Sequence, residues 1–410
     1  MDSFTEGSFS SNLLTFRSRP QRWVVAIALS LFAASSVALS SYSWQQSVLF
    51  LIGGLLGISL YHARFGFTSA YRKLFVNRDV TGMYAQLVML AIATLLFAPI
   101  LATGSVFGQA IKGAEAPIGI QGAIGAFLFG IGMQLGGGCG CGTLYTIGGG
   151  SLSMLLTLIT FCVGAFWSSL TRQIWAGLPA TAPISLGKTL GWPGAVLLQL
   201  VLFLVIARLL WWWSKGREED NFFEVTAEGL PLQAGLPRSV RSLIFGPWSL
   251  LTGAIALAFL NGLTLLISGQ PWRITWGFAL WSAQLATVFG WNPNSSSFWS
   301  SGNGQLALSR GIFADASSVM NFGIILGAIL AAALAGRLAP KPQISIIPAM
   351  ASLLGGLLMG YSAFMAFGCN VSAFFGGIAS TSLHGWFWII CALLGTLIGI
   401  RLRPLFQLSN

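Results

Sequence analysis

The sequence predicts an all-α polytopic membrane protein, with about ten transmembrane helices plus short re-entrant helices in two inverted, pseudo-symmetric halves. Three observations carry this prediction. The 410 residues are 55% hydrophobic and only 8% charged, whereas a water-soluble domain devotes about a quarter of its residues to charge. Apolar runs recur along the whole chain at about the 20 residues a helix needs to cross a hydrocarbon core roughly 30 Å thick; a barrel would show alternating segments of about ten residues. A glycine- and cysteine-bearing stretch also occurs twice, at an offset of 230 residues.

Residues 1–22 are polar and lack a short apolar segment with a small-residue cleavage site, which predicts a cytoplasmic tail and no cleaved signal peptide. Candidate spans follow at 23–41, 46–61, 82–102, 118–135, 152–170 and 192–213, forming a first half over 23–213. Residues 214–247, with the acidic stretch "REEDNFFEVTAEG", read as a cytoplasmic linker. A second half over 248–410 holds candidates 248–268, 272–289, 317–336, 345–366 and 384–402.

Basic groups lie at Arg17, Arg19 and Arg22; at Arg64, Arg72, Lys73 and Arg78; at Lys215, Arg217, Arg238 and Arg241; at Arg337 and Lys341; and at Arg401 and Arg403. The positive-inside tendency puts all of them, and hence both termini, in the cytoplasm. Two cytoplasmic ends require an even number of crossings, so one of the eleven candidates must not cross. The weakest is 272–289, which starts just after its predecessor and runs into "WNPNSSSFWSSGNGQ"; it is expected to be re-entrant. Orientation in the membrane also explains the formal charge of +11, and nucleic acid is set aside as a partner; the lipid bilayer is the expected one.

The repeat superposes Gly125, Gly130, Gly138 and Cys139 on Gly355, Gly360, Gly368 and Cys369. Charge counting sends the preceding spans in opposite directions, so the halves are expected to be inverted, a recurring transporter design. A weaker correspondence sets "ARFGFTSA" (63–70) against "SRGIFADA" (309–316).

The run "FGIGMQLGGGCGCGTLYTIGGGS" (129–151) breaks its helix, and non-helical backbone at membrane depth must be buried in protein or line a polar cavity. Freed N–H groups at Gly136, Gly137, Gly138 and Gly368 suit an anion. The thiols of Cys139, Cys369 and Cys141 are soft, weak donors, suited to the terminal sulfur of a sulfur compound more than to sulfate oxygen. Glycines also permit close helix packing, and cysteines serve as small buried hydrophobes. Two matched copies favour the passage reading; for Cys162 and Cys391, in ordinary spans, the packing reading is favoured.

Arg64 reads equally as an anion attractor or a positive-inside anchor. Arg310 and Asp315 are expected to form an ion pair, and Asn321 and Asn370 to line the passage. No metal site is expected, because "CGC" lacks the usual spacer and His62 and His384 sit at span ends. No cofactor fingerprint, P-loop or nucleophile–base–acid set is present, so the chain is not expected to be an enzyme.

The segments "ARFGFTSAYRKLFVNRD", "FGIGMQLGGGCGCGTLYTIGGGSL" and "AFGCNVSAFFGGIASTSLHGW", in this order, resemble the YeeE/YedE family of bacterial inner-membrane proteins. The resemblance implies an hourglass of two halves and uptake of thiosulfate or a related small sulfur-containing anion. It further implies a relay of thiols that hold the substrate sulfur, and a cytoplasmic sulfur-carrier or sulfurtransferase protein as partner. The family cysteine of "GGGC" falls on Cys139 and that of the second-half "GC" on Cys369. A third relay cysteine falls on Gly66, where this chain departs, with Cys141 as a replacement thiol. The departure keeps open transport of a persulfide or selenium species; a separate alternative is a membrane sulfur-transfer protein that forms a covalent Cys persulfide.

Overall fold

Helix dominates because a backbone N–H or C=O left unpaired against lipid costs several kcal/mol, and a helix pairs its own. The computed structural model describes residues 20–214, 238–339 and 345–410. Most of the expected tail (1–19), the bulk of the linker (215–237, with Lys215, Arg217 and the acidic stretch) and Lys341 lie outside the described residues.

Ten helical segments among the described residues are long and apolar enough to cross a membrane. They comprise α1 (Arg22–Ser40), α2 (Trp44–Ala63) continued by the short α3 (Phe67–Asn77), α4 (Thr81–Thr103), α5 (Ile120–Gly136) continued by the short α6 (Gly140–Gly148), and α7 (Leu152–Leu170). Next come α8 (Trp192–Ser214) and α9 (Leu250–Ser268), followed by α10 (Thr275–Val288), which is not among the ten. The chain ends with α11 (Ala316–Leu334), α12 (Ile346–Met365), the short α13 (π-helical Asn370–Phe375 running into Gly376–Ala379), and α14 (Leu383–Leu402). A two-residue ribbon pairs Ser105–Val106 with Gln109–Ala110.

The segment 272–289 forms a helix shorter than the ten candidate spans. Its helix α10 has 14 residues, about 21 Å of rise, too short for a hydrocarbon core of about 30 Å.

Among the described residues three of these spans are broken, each at a residue of positive φ. Arg64 (φ 48°) ends α2, Gly137 (φ 78°) ends α5, and Phe367 (φ 58°) with Gly368 (φ 151°) follows α12. At Gly137 and Gly368 a side chain would be strained by this backbone.

The core is built by α2 against α9 and α11, α4 against α9, α5 against α12 and α14, and α7 against α12. The short helices fill the middle: α6 packs on α11, and α13 on α4 and α14. Meanwhile α3 lies on α4 and α14, and α10 on α7 and α11. The two most exposed spans are α1, which rests on α2 and α11, and α8, which rests on α4. Close approach is set by glycines: a side chain at Gly130 would strike the Ala392 carbonyl, and one at Gly395 the Phe127 carbonyl. Between α7 and α12, Gly164 faces the Leu357 carbonyl and Gly360 the Phe161 carbonyl in the same way. Van der Waals contact between such closely approaching backbones drives helix association where no hydrophobic effect operates.

Candidate functional site

Two of the breaks deliver the cysteines. Once Gly137 has turned the chain, Cys139 becomes the extended N-cap of α6, and its carbonyl accepts from Thr143 N (2.8 Å) and Thr143 Oγ1 (2.9 Å). Likewise Gly368 leads into Cys369, the extended N-cap of α13. There a reciprocal capping box forms: Cys369 N–H donates to Ser372 Oγ (3.1 Å), while the Ser372 N–H donates to Cys369 Sγ. Boxes of this kind satisfy two of the orphan donors of a first helical turn.

The two short helices begin against each other. A Cβ placed on Gly140 would lie 3.7 Å from Cys369 Sγ and 3.3 Å from Ile274 Cγ2. Cys139 and Cys141 stand with their sulfurs 3.4 Å apart. All three thiols are buried and free, so the chain brings Cys139, Cys141 and Cys369 together as the sequence suggests. Each helix N-terminus carries partial positive charge, and here the positive ends of α6 and α13 meet at the thiols.

A polar support surrounds them. Asn370 does not hang free in a passage: its Oδ1 accepts from Tyr71 Oη (3.0 Å), and its Nδ2 reaches Met133 Sδ (3.4 Å). Asn321 likewise holds the Ile274 carbonyl (3.0 Å). Gly138, in the link between α5 and α6, packs on the first turn of α6, 3.4 Å from the Gly142 carbonyl carbon for an added Cβ. Gly137 faces Met154, and Gly136 faces Met359 and Thr157.

Cavities open on both sides of the thiols. One, of about 340 Å³, reaches Arg310, and a second, of about 330 Å³, reaches Gly368 and Ser372; Arg273 and Trp276 line both. On the opposite side a cavity of about 140 Å³ is lined by Arg64, Arg337, His62, Tyr61 and Tyr145. Gly66, the N-cap of α3, lies beside this second side: an added Cβ would sit 2.6 Å from Ser69 Oγ and 3.6 Å from Tyr145 Oη. Where a third thiol was expected, the nearest polar groups are therefore hydroxyls.

The expected Arg310–Asp315 pair is absent. Asp315 instead caps α11, its two oxygens accepting from Ser318 N (2.8 Å) and Trp276 Nε1 (3.0 Å). Serving a helix N-terminus gives the carboxylate its hydrogen-bond partners without Arg310. The residues singled out too little in the sequence are Ser372, Tyr145 and Arg273. Ser372 and Tyr145 stand three and four residues after Cys369 and Cys141, at spacings that share a helix face. Among the described residues, no group of three His, Cys, Asp or Glu is arranged to hold a metal ion.

Comparison with known proteins follows the same line. The chain is 26% identical over 359 residues to the thiosulfate transporter TsuA of Spirochaeta thermophila, covering 84% of this chain and 95% of that protein. It is 24% identical over 364 residues to TsuA of Escherichia coli, covering 84% and 91%. Over 163 residues, 39% of this chain and 40% of the relative, it is 30% identical to the probable transporter YedE of Escherichia coli. The family described as "Sulphur transport" matches residues 62–398. With a match over most of its length and ten apolar spans, the chain belongs to this sulphur transport (YeeE/YedE) family of multi-pass membrane proteins.

Proposed function

We propose that the protein imports thiosulfate, or a closely related small sulfur-containing anion, across the bacterial inner membrane by a thiol-lined constriction at Cys369, Cys139 and Cys141. The observation that carries this reading is the meeting of two helix N-termini, each capped by a buried cysteine, between two arginine-bearing cavities. Each N-terminus contributes about 0.3–1 kcal/mol toward an anion, up to about 2 where partly buried. The thiols offer weak S–H donors and polarisable contact to the sulfur end. The Arg273 cavity is the outer mouth and the Arg64 cavity the cytoplasmic one, with Tyr145 beside Gly66 as the last contact before release to a cytoplasmic sulfur-carrier or sulfurtransferase protein.

The reading includes two inverted halves, 23–213 and 248–410, joined by a cytoplasmic linker over 214–247, with both termini in the cytoplasm. Its support is the way packing partners pair off. If α2, α3, α4, α5, α6 and α7 correspond to α9, α10, α11, α12, α13 and α14, then α2 on α11 answers α9 on α4, and α5 on α14 answers α12 on α7. By the same rule α3 on α14 answers α10 on α7, and α6 on α11 answers α13 on α4. This correspondence sets the α2–α3 break (63–67) against 269–275, in place of the 309–316 stretch suggested by sequence.

One observation favours a second reading, covalent sulfur transfer: one thiol of the Cys139–Cys141 pair, as thiolate, would attack the outer sulfur of thiosulfate, breaking the S–S bond to form a cysteine persulfide and release sulfite, with the other thiol 3.4 Å away to hydrogen-bond the attacking sulfur. The test is accumulation of sulfur-35 from labelled thiosulfate by cells without their own importers, with mass spectrometry of the purified protein afterwards. Uptake with unmodified cysteines supports passage. A cysteine carrying one added sulfur atom supports transfer, and absence of uptake with persulfide or selenium compounds taken up instead replaces thiosulfate as the substrate.

A further inference from the structure

The thiols account for one end of such a substrate, the soft sulfur, and leave its oxygens without a partner. The strongest candidate to hold them is Arg273. It sits in the segment that links α9 to α10, and that segment is pinned on both sides: Trp272 N donates to Asn261 Oδ1 (2.9 Å), and the Ile274 carbonyl accepts from Asn321 Nδ2 (3.0 Å). Ile274 in turn touches the Gly140 position, which is itself beside Cys369 Sγ. Arg273 is thus held one residue from the thiol cluster by buried side chains on two different spans.

Its guanidinium makes no hydrogen bond or ion pair within the described residues, although an acid is near. Asp315 lines the adjoining cavity and attracts the guanidinium, but its hydrogen bonds go to Ser318 N and Trp276 Nε1 and it forms no ion pair within contact distance of Arg273. Glu115, in the cavity shared with Ser372, is paired with Lys188 at 2.8 Å. The five planar donors of Arg273 thus line the cavity without a hydrogen-bond partner among the described residues. The same cavity is lined by Ser372, whose Oγ lies 3.7 Å from Cys369 Sγ.

We propose that Arg273 is a substrate-binding, specificity-determining residue: it clamps the oxyanion end of the substrate in the outer cavity while the terminal sulfur reaches Cys369. The protein then selects anions with oxygens at one end and soft sulfur at the other, over neutral or purely soft sulfur species. This rests on the thiosulfate reading above. Arg64 stands in the matching place at the α2–α3 break, lining the opposite cavity, and so acts on release and not on capture.

The test is the concentration dependence of labelled thiosulfate uptake in cells lacking other thiosulfate and sulfate importers, with external sulfate as a competitor that has oxygens but no terminal sulfur. Loss of a charge-assisted contact predicts that Arg273→Gln raises KM by about tenfold or more, with the maximal rate changed by less than about twofold. Sulfate inhibits the wild type competitively, and this inhibition weakens in parallel in Arg273→Gln. Arg273→Lys keeps charge without the bidentate fork and gives an intermediate KM; it decides the matter if Arg273→Gln does not reach the membrane. Arg64→Gln lowers the maximal rate and leaves KM for external substrate unchanged. An unaltered KM and unaltered sulfate inhibition in the Arg273 variants overturn the assignment while leaving thiosulfate transport standing. A wild type that takes up no thiosulfate overturns the underlying reading and this inference with it.

Discussion

Gly125 is where packing and the thiol site are most directly coupled. On α5, it faces the end of α12, and an added Cβ would lie 2.7 Å from Ala366 N, 2.9 Å from Ser362 O and 2.9 Å from Met365 Cβ. Two of these are backbone atoms that no rotamer change can move. Ordinary contact begins at 3.4 Å, so Gly125→Ala demands a displacement of about 0.7 Å at Ala366, and overpacking of this kind costs about 1–3 kcal/mol. Ala366 is three residues before Cys369, so the displaced backbone is the one that delivers the thiol. The expected result is a lower melting temperature in detergent, corresponding to about 2 kcal/mol or roughly a 30-fold shift in the unfolding equilibrium, together with reduced uptake. Gly177→Ala, with nothing within 4 Å of its added Cβ, is the control and is expected to match the wild type. A Gly125→Ala protein with wild-type melting and wild-type uptake would refute the claim that the α5–α12 contact sets the position of Cys369.

Three further predictions follow from individual contacts. Tyr71→Phe removes the donor to buried Asn370 Oδ1 and is expected to cost about 1–3 kcal/mol; unchanged thermal stability would contradict it. Ser372→Ala dismantles the capping box on Cys369, with an expected loss of about 0.5–2 kcal/mol and slower uptake, whereas Ser372→Thr, which keeps the hydroxyl, retains both. Asp79, in the turn between α3 and α4, is held below the usual carboxylate range: burial pushes it up, but hydrogen bonds from Thr81 and the Lys73 ammonium at 3.5 Å outweigh this. A depressed folded-state pKa stabilises above the unfolded value of about 3.9 and is lost as pH falls through the folded value. Stability measured downward from pH 6 should therefore drop more in the wild type than in Asp79→Asn, and parallel curves would contradict the assignment.

The spans were legible because lipid imposes a length and a composition on any helix that crosses it. The break at 137 was legible because a glycine run interrupts the apolar periodicity, and the 230-residue offset paired it with the single Gly368 before Cys369. Other features depend on which elements meet, which a single sequence does not state. Arg273 gains its position from Asn261 and Asn321, on helices before and after it, a role for Asn321 that no local pattern announces. Asp315 is different: an acidic residue directly before an apolar helix is an N-cap signature, legible in the sequence without reference to Arg310. Tyr145 matters only once the fold brings α6 alongside Gly66 on α3.

The central claim is that a sulfur-bearing anion passes the buried thiols of the two facing helix starts. The most direct measurement is thiosulfate uptake into liposomes containing the purified protein, comparing wild type, Cys139→Ala, Cys369→Ala and the control Cys162→Ala at equal protein content. The account predicts uptake by wild type and Cys162→Ala, with uptake lost in both Cys139→Ala and Cys369→Ala while their melting temperatures stay close to wild type. Wild-type rates in either of those two variants would contradict it.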